Sequence, residues 1–251
     1  MTTTTKINDD LSLIQNENGL TFGTDAYLLS AFTVGGKSKT GADLGSGTGI
    51  IPLLLSSREK AAKIFAIEVQ ESFCDLISQN ATLNGFEGRI IPVSANVTDL
   101  KAADIGGEVD FVTSNPPYMK ANSGKRNEFD EKFIARHEVC GDISDFCACA
   151  YRLLKHGGKF YCVYRPDRLT DLLCALRNNR LEPKVITFVA ATAESEPSMV
   201  LVRAIKGGAS GNTVTRTLFL HDSKENAAKS ILSDDAKAIY DNCSFESFFE
   251  R

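Results

Sequence analysis

Asp43-Leu44-Gly45-Ser46-Gly47-Thr48-Gly49 follows the apolar run Gly41 to Leu44 and precedes the helical pattern beginning at Ile50. Three alternate glycines between a strand and a helix leave the backbone bare at a helix N-terminus, where amide hydrogens face a ligand. The spacing narrows the choice of ligand. A dinucleotide fingerprint needs a glycine three positions after Gly47, but Ile50 stands there, and no lysine follows as a triphosphate loop requires. Glu68 ends the next apolar run, 23 residues after Gly45, where a carboxylate can accept both hydroxyls of a ribose. Asn96 and Val97 close a third run, and an amide there can accept from an adenine amino group while apolar neighbours flank the ring.

Working outward, β-rich runs alternate with helical patterns, the signature of βαβ units and a parallel sheet in an α/β fold. Strands are expected at Gly41 to Leu44, Ile64 to Val69, Arg89 to Ala95, Val109 to Ser114, Lys159 to Tyr164, Lys184 to Ala190 and Ser198 to Ile205. Helices are expected at Thr24 to Phe32, Ile50 to Ser57, Ser72 to Asn84, Ser144 to Leu154 and Asp167 to Asn179. In the third helix Ser72 can cap, Phe73, Leu76, Ile77 and Leu83 share one face, and Gly85 supplies a left-handed stop. The last two strands are joined by Thr192 to Pro197 alone, too short for a crossover helix, so the last strand must run backwards. Beyond Lys206 a GGASG break precedes an apolar segment, Thr217 to Leu220, and a short helix, Ser233 to Tyr240.

The fourth strand ends in Asn115-Pro116-Pro117-Tyr118. Two prolines cannot continue a ladder and push the residue before them into extended geometry, so carbonyls stay available at the strand's carboxyl end. An amide, an unpaired carbonyl and an aromatic face side by side make a pocket for a flat molecule bearing an N–H₂ group. If that amine attacks an electrophile while the Asn115 oxygen and the Pro116 carbonyl each accept one N–H, both bonds become charge-assisted as the nitrogen turns positive, and so strengthen in the transition state.

Composition bounds the rest. With 251 residues, 43% hydrophobic and 24% charged, the chain has the make-up of a soluble globular protein. No apolar run is long enough to span a membrane and no basic leader opens it, so a cytoplasmic protein is expected, with Met1 to Asp10 a frayed polar tail. Net charge is −4, which argues against indiscriminate nucleic-acid binding, yet Tyr151 to Lys184 carries eight basic residues against three acidic ones. That stretch reads either as a phosphate-facing patch or as a solvated face. The seven cysteines are odd in number and lack C-x-x-C spacing, so they read as small core residues and no metal is expected.

Together these pieces resemble the class I S-adenosylmethionine-dependent methyltransferases, whose Rossmann-like fold has a seven-stranded, mostly parallel sheet with a reversed last strand and helices on both faces. FGTDAYLLSAF at Phe22 to Phe32, SNPPYMK at Ser114 to Lys120 and ARHE at Ala135 to Glu138 are similar to bacterial tRNA adenine-N6 methyltransferases acting beside the anticodon of valine tRNA. The resemblance implies S-adenosylmethionine as cofactor, held by Thr24, Asp43, Gly45, Gly47, Gly49, Glu68, Val69, Asn96 and Val97. It implies Asn115, Pro116 and Tyr118 at the target base, with Tyr118 stacking on it, and tRNA as the partner; a monomer is expected, with a dimer left open. Asn96 stands where that family usually has an acid. His137 is expected to brace the loop after Tyr118, and Lys120, Lys125 and Arg126 are candidate phosphate contacts.

The implied organisation is a lead-in over 1–20, a methyltransferase domain over 21–206 and an extension over 207–251 packed on it. The alternatives are an N5-glutamine methyltransferase acting on a protein and a non-catalytic S-adenosylmethionine-binding RNA module. Glutamine methyltransferases usually carry a helical domain before the glycine loop, whereas 42 residues precede Asp43 here.

Overall fold

In a computed structural model, which describes residues 2–16, 23–116 and 141–250, the sheet is organised around its two central strands, β3 (Thr40–Leu44) and β6 (Val109–Ser114). They run parallel with Leu44 opposite Ser114. On one side of β3 lie β4 (Lys63–Glu68) and β5 (Ile90–Ser94); beyond β6 come β7 (Leu154–Tyr164), β9 (Pro197–Lys206) and β8 (Leu181–Ala190). Strand β9 pairs antiparallel with both β7 and β8, so the last of the seven expected strands is indeed the reversed one. The chain order reverses between β3 and β6, which opens a crevice beyond their carboxyl ends.

Helices cover both faces because the strands alternate between them. In β7, Tyr161 and Val163 join the core beneath α1 (Thr24–Phe32), α2 (Ile50–Ser57) and α3 (Glu71–Leu83), while Phe160 and Cys162 join the other. That second core lies under α4 (Ile143–Leu153) and α5 (Leu169–Asn178). Helix α2 is buried almost throughout, as its IIPLLL run requires. Helix α4 begins one residue earlier than expected, because the Asp142 carboxylate accepts from the Ser144 and Asp145 amides in a capping box. Helix α3 also begins earlier, at Glu71, and Ser72 does not cap it. Leu76 and Ile77 are buried there, but Leu83 is half exposed and the buried stripe is completed by Asn80 and Ala81.

The expectation of a frayed N-terminal tail is overturned. Thr2–Lys6 (β1) and Ser12–Asn16 (β2) form an antiparallel hairpin, with Leu11 and Leu13 buried in the core. Threonine is a good strand former, and the hairpin has an anchor the composition conceals. Asn80 Nδ2 donates to Ile14 O and Asn80 Oδ1 accepts from Ile14 N, at 2.9 and 2.6 Å; Asn84 makes the same pair with Ser12, at 2.8 and 2.9 Å. Helix residues four apart are separated by about 6 Å along the axis, and same-facing strand residues repeat at roughly 6.8 Å, so two asparagines four apart fit one strand edge. Asn80 Nδ2 also donates to Thr48 O at 2.9 Å, tying the hairpin to the glycine loop.

Four further short elements went unseen in the sequence. Strands β10 (Thr213–Val214) and β11 (Leu218–Phe219) pair parallel with β8 and cover part of its outer edge, bringing the sheet to nine strands; two-residue strands carry no periodicity to read. Helices α6 (Lys224–Ala228) and α8 (Glu246–Phe249) flank α7 (Asp234–Asn242), which Ser233 caps. Tyr240 of α7 stacks on Tyr27 of α1 at 4.5 Å, and Phe245 meets Phe32 edge-on at 5.4 Å. Among the described residues no helix is long and apolar enough to cross a membrane. Four of the six described cysteines are buried, whereas Cys174 is exposed.

Replacing Asn80 by alanine strands Ile14 N, Ile14 O and Thr48 O. Urea denaturation of Asn80→Ala should give a loss of about 2–4 kcal/mol, with faster amide exchange across Ser12–Asn16.

Candidate functional site

The carboxyl ends of β6, β3, β4 and β5 line up in that order, and most of the described residues singled out from the sequence lie along them. Because Leu44 is opposite Ser114 and Ile67, Gly45 is flanked by Asn115 and Glu68. Gly45 N and Ser46 N both donate to Ile67 O at 3.0 Å, so the turn is folded onto β4. Gly45, Gly47 and Gly49 have φ of 70°, 54° and 85°, the left-handed region that glycine enters without penalty. A Cβ on Gly47 would meet nothing within 4 Å, so the loop presents bare backbone to open space; one on Gly49 would meet Ile77 at 3.2 Å.

Glu68 is buried, with both oxygens aimed at backbone amides: Oε2 accepts from Gly47 N and Oε1 from Gln70 N, each at 3.0 Å. The carboxylate therefore fixes the loop, and each of its oxygens retains a second lone pair for a hydroxyl donor. Val69 follows it, half-buried. Asp43 lies deeper. Its Oδ2 accepts from Ser46 Oγ at 2.6 Å and its Oδ1 from Thr113 Oγ1 at 2.7 Å, and no part of it reaches the surface. Burial pushes its carboxyl up to about 7, against the downward pull of the two hydroxyl bonds and with the Glu68 charge adding to the rise. It braces the turn from beneath.

Asn96 shapes its own loop, its Oδ1 accepting from Thr98 N at 3.0 Å and its carbonyl from Asp99 and Leu100 N. Val97 is buried beside it. One residue the sequence reading left in an undirected basic stretch secures this loop: Arg152 of α4 donates to the carbonyls of Val97, Thr98 and Leu100 at 2.6, 3.1 and 3.0 Å. Most of the remaining stretch is engaged locally as well. Arg165 pairs with Asp167, Arg168 with Asp171, Arg177 with Glu182 and Lys155 with Asp110, while Lys184 reaches the carbonyls of Ala209 and Gly211. The solvated-face reading therefore accounts for most of these charges better than a phosphate patch does.

At the other end of the row, Asn115 is half-buried and Pro116 buried. Asn115 Nδ2 donates to Asp25 Oδ2 at 2.8 Å, which joins the end of β6 to the first turn of α1. Asp25 sits inside FGTDAYLLSAF, next to Thr24, with no local signal of its own in the sequence. The Tyr240 side chain of α7 in turn lies near Thr24. Tyr118, the ARHE run with His137, and Lys120, Lys125 and Arg126 lie outside the described residues. Among the described residues no group of His, Cys, Asp and Glu could hold a metal ion.

A row of bare amides, a buried carboxylate and a neutral amide can bind a flat polar ligand and hold an amine beside it. Residues 17–171 match the family described as Methyltransferase small domain. A Porphyromonas gingivalis protein named tRNA1(Val) (adenine(37)-N6)-methyltransferase is 28% identical over 209 residues, 79% of this chain and 80% of that protein. An Aeromonas hydrophila protein of the same name is 28% identical over 186 residues, 74% of this chain and 76% of its own. The crystal structure of a predicted O-methyltransferase from Agrobacterium tumefaciens superposes with a TM-score of 0.71 at 22% identity, over 88% of this chain and 97% of that one.

Asp43 supplies a pH signature. Its carboxyl ionises near 4 when unfolded and near 7 when folded, so the folded state holds the proton longer and stability is lost as pH rises between those values. In denaturant titrations, Asp43→Asn should gain on the wild type progressively from about pH 4 to pH 7 and hold that gain above, by up to about 4 kcal/mol.

Proposed function

The chain belongs to the methyltransferase small domain family, and from that premise we propose that it transfers the methyl group of S-adenosylmethionine to the exocyclic N6 amine of an adenine in tRNA. The observation that carries the reading is Asn115-Pro116 beside the Gly45 turn, a neutral amide at the lip of a glycine-lined crevice. The residues present fit the cofactor. Gly47 offers bare backbone facing open space, and Glu68 stands buried one strand away with its carboxylate fixed by amides. The loop at Asn96 and Val97, pinned by Arg152, would close over the adenine end. The named relatives favour an adenine of tRNA over a glutamine of protein.

When bound, the cofactor supplies a sulfonium-activated methyl group. The chain's own residues prepare the acceptor. Adenine's amino lone pair is delocalised into the ring, and the Asn115 oxygen and Pro116 carbonyl, each accepting one N–H, favour a more tetrahedral nitrogen. As positive charge builds on that nitrogen, both hydrogen bonds become charge-assisted, so the site binds the transition state more tightly than the ground state, and the methylated nitrogen then loses one N–H proton to water. Asp43 stays out of the chemistry, buried under the turn. Tyr118 is assigned the aromatic platform for the base. On the same reading, 21–206 is the transfer domain, 207–251 an extension upon it, and the enzyme works in the cytoplasm on tRNA.

The test is incubation with methyl-labelled S-adenosylmethionine and total unmodified tRNA, followed by nucleoside analysis. Label is expected in N6-methyladenosine; label in protein, or in another nucleoside, overturns the assignment. Asn115→Ala should lose about 10²–10³-fold in transfer rate while its cofactor Kd stays within a few-fold of wild type. Glu68→Gln should do the opposite, weakening cofactor binding about 10–100-fold, as loss of a charged hydrogen bond does.

A further inference from the structure

Asn115 lies at the end of a strand, and its side-chain amide has two chemically different ends about one bond apart. Rotation by half a turn would exchange the acceptor for a donor with little change of shape, and a donor facing an amine repels it. Something must hold the amide the right way round. The carboxylate of Asp25 does so: as a carboxylate it only accepts, and Asn115 Nδ2 lies 2.8 Å from its Oδ2. The other carboxylate oxygen, Oδ1, accepts from Ala26 N at 2.9 Å, so the helix's own backbone orients the group. The first turn of α1 also favours the negative charge.

The local sequence is shaped for this contact. A Cβ on Gly23 would come within 2.6 Å of Asp25 Oδ1, so a glycine immediately before Thr24 leaves room for the carboxylate to fold back over the helix start. Helix α1 is itself locked. Lys60 Nζ donates to the carbonyls of Ser30, Ala31 and Thr33 at 2.7 to 3.1 Å, and at the α7 face Tyr27 Oη donates to Tyr240 O at 2.9 Å under the stacked rings. The C-terminal extension thus supports, through α1, the carboxylate that touches Asn115.

We propose that Asp25 is a positioning residue for methyl transfer: it commits the Asn115 Nδ2 and so directs the Asn115 oxygen to the target amine. This rests on the methyl-transfer reading given above. It also explains why a helix far from the strand in sequence carries an acid at this point, with a glycine two residues before it.

The test is a polarity swap. Asp25→Asn permits the amide to turn over, and single-turnover transfer at saturating cofactor should fall about 10²-fold, the scale of a small misplacement at a reacting centre, with cofactor Kd and melting temperature nearly unchanged. Asn115→Asp places two carboxylates against each other and should be at least as poor. When both substitutions are combined, the amide now on α1 donates to the carboxylate now on the strand end, donor and acceptor having changed places, and the rate should recover at least tenfold over Asn115→Asp alone. Gly23→Ala should give a milder loss. The second readout needs no substrate: the Asn115 side-chain N–H resonance of the wild type should be shifted and protected from exchange, and Asp25→Asn should abolish both. Full transfer by Asp25→Asn, or losses that simply multiply in the double variant, would overturn the proposal while leaving methyl transfer intact. A wild type that methylates no RNA, with the amide signature present, would instead overturn the reading of the substrate.

Discussion

The parallel register of β3 against β6 is the constraint from which the site follows. With Leu44 opposite Ser114, the turn that begins at Gly45 and the amide at Asn115 emerge side by side, although 70 residues separate them in the chain. The register is sealed by side chains as well as by the ladder: Ser114 Oγ donates to Leu44 O at 3.0 Å, and Thr113 Oγ1 donates to Asp43 Oδ1 at 2.7 Å. A slip of one residue would turn Val112 and Phe111 to the wrong cores and break both bonds. Cofactor cradle and amine pocket are therefore one construction.

Below the crevice the protein accepts an electrostatic cost. Asp43 is fully buried, and two hydroxyl bonds do not offset its desolvation, which is why its carboxyl rises to about 7. In exchange the turn after β3 is held from beneath by Ser46 and tied sideways to β6. Three cations serve a similar structural purpose elsewhere. Arg152 gathers three carbonyls of the loop after β5, Lys60 three at the end of α1, and Arg89 the carbonyls of Ser56 and Ala61. Burial pulls the Lys60 amine down to about 8. Arg152 thus fixes a loop at the crevice rim by charged hydrogen bonds to backbone without filling the crevice, while Lys60 and Arg89 brace the turns at the opposite, amino-terminal ends of the strands.

Legibility in the sequence followed physical range. Strands β3 to β6 and β9 and helices α1 and α2 could be read closely from apolar patterns and stop signals that act within a turn, whereas β7 and β8 begin five and three residues before the expected Lys159 and Lys184, and Leu154, expected to end a helix, opens β7. The hairpin β1–β2 could not, because it is anchored by two asparagines, one on α3 and one capping it, more than 60 residues away, that bond its backbone edge. Its threonines look like a solvated tail until those partners are known. Likewise the basic residues from Arg152 to Lys184 left a patch and a solvated face open, and folding placed most of them on separate acids and carbonyls.

What the sequence determined by itself was the chemistry of the row: glycines where backbone must be bare, an acid at a strand end, an amide before two prolines. These depend on residue type and on spacing within a unit, which the chain carries locally. Only the tertiary structure decided which way those groups face. That Glu68 is clasped by Gly47 and Gln70, that Asp43 lies beneath the turn, and that Asp25 orients Asn115 are contacts made across elements. Their geometry is set by strand register and helix packing, and neither is written at any single position.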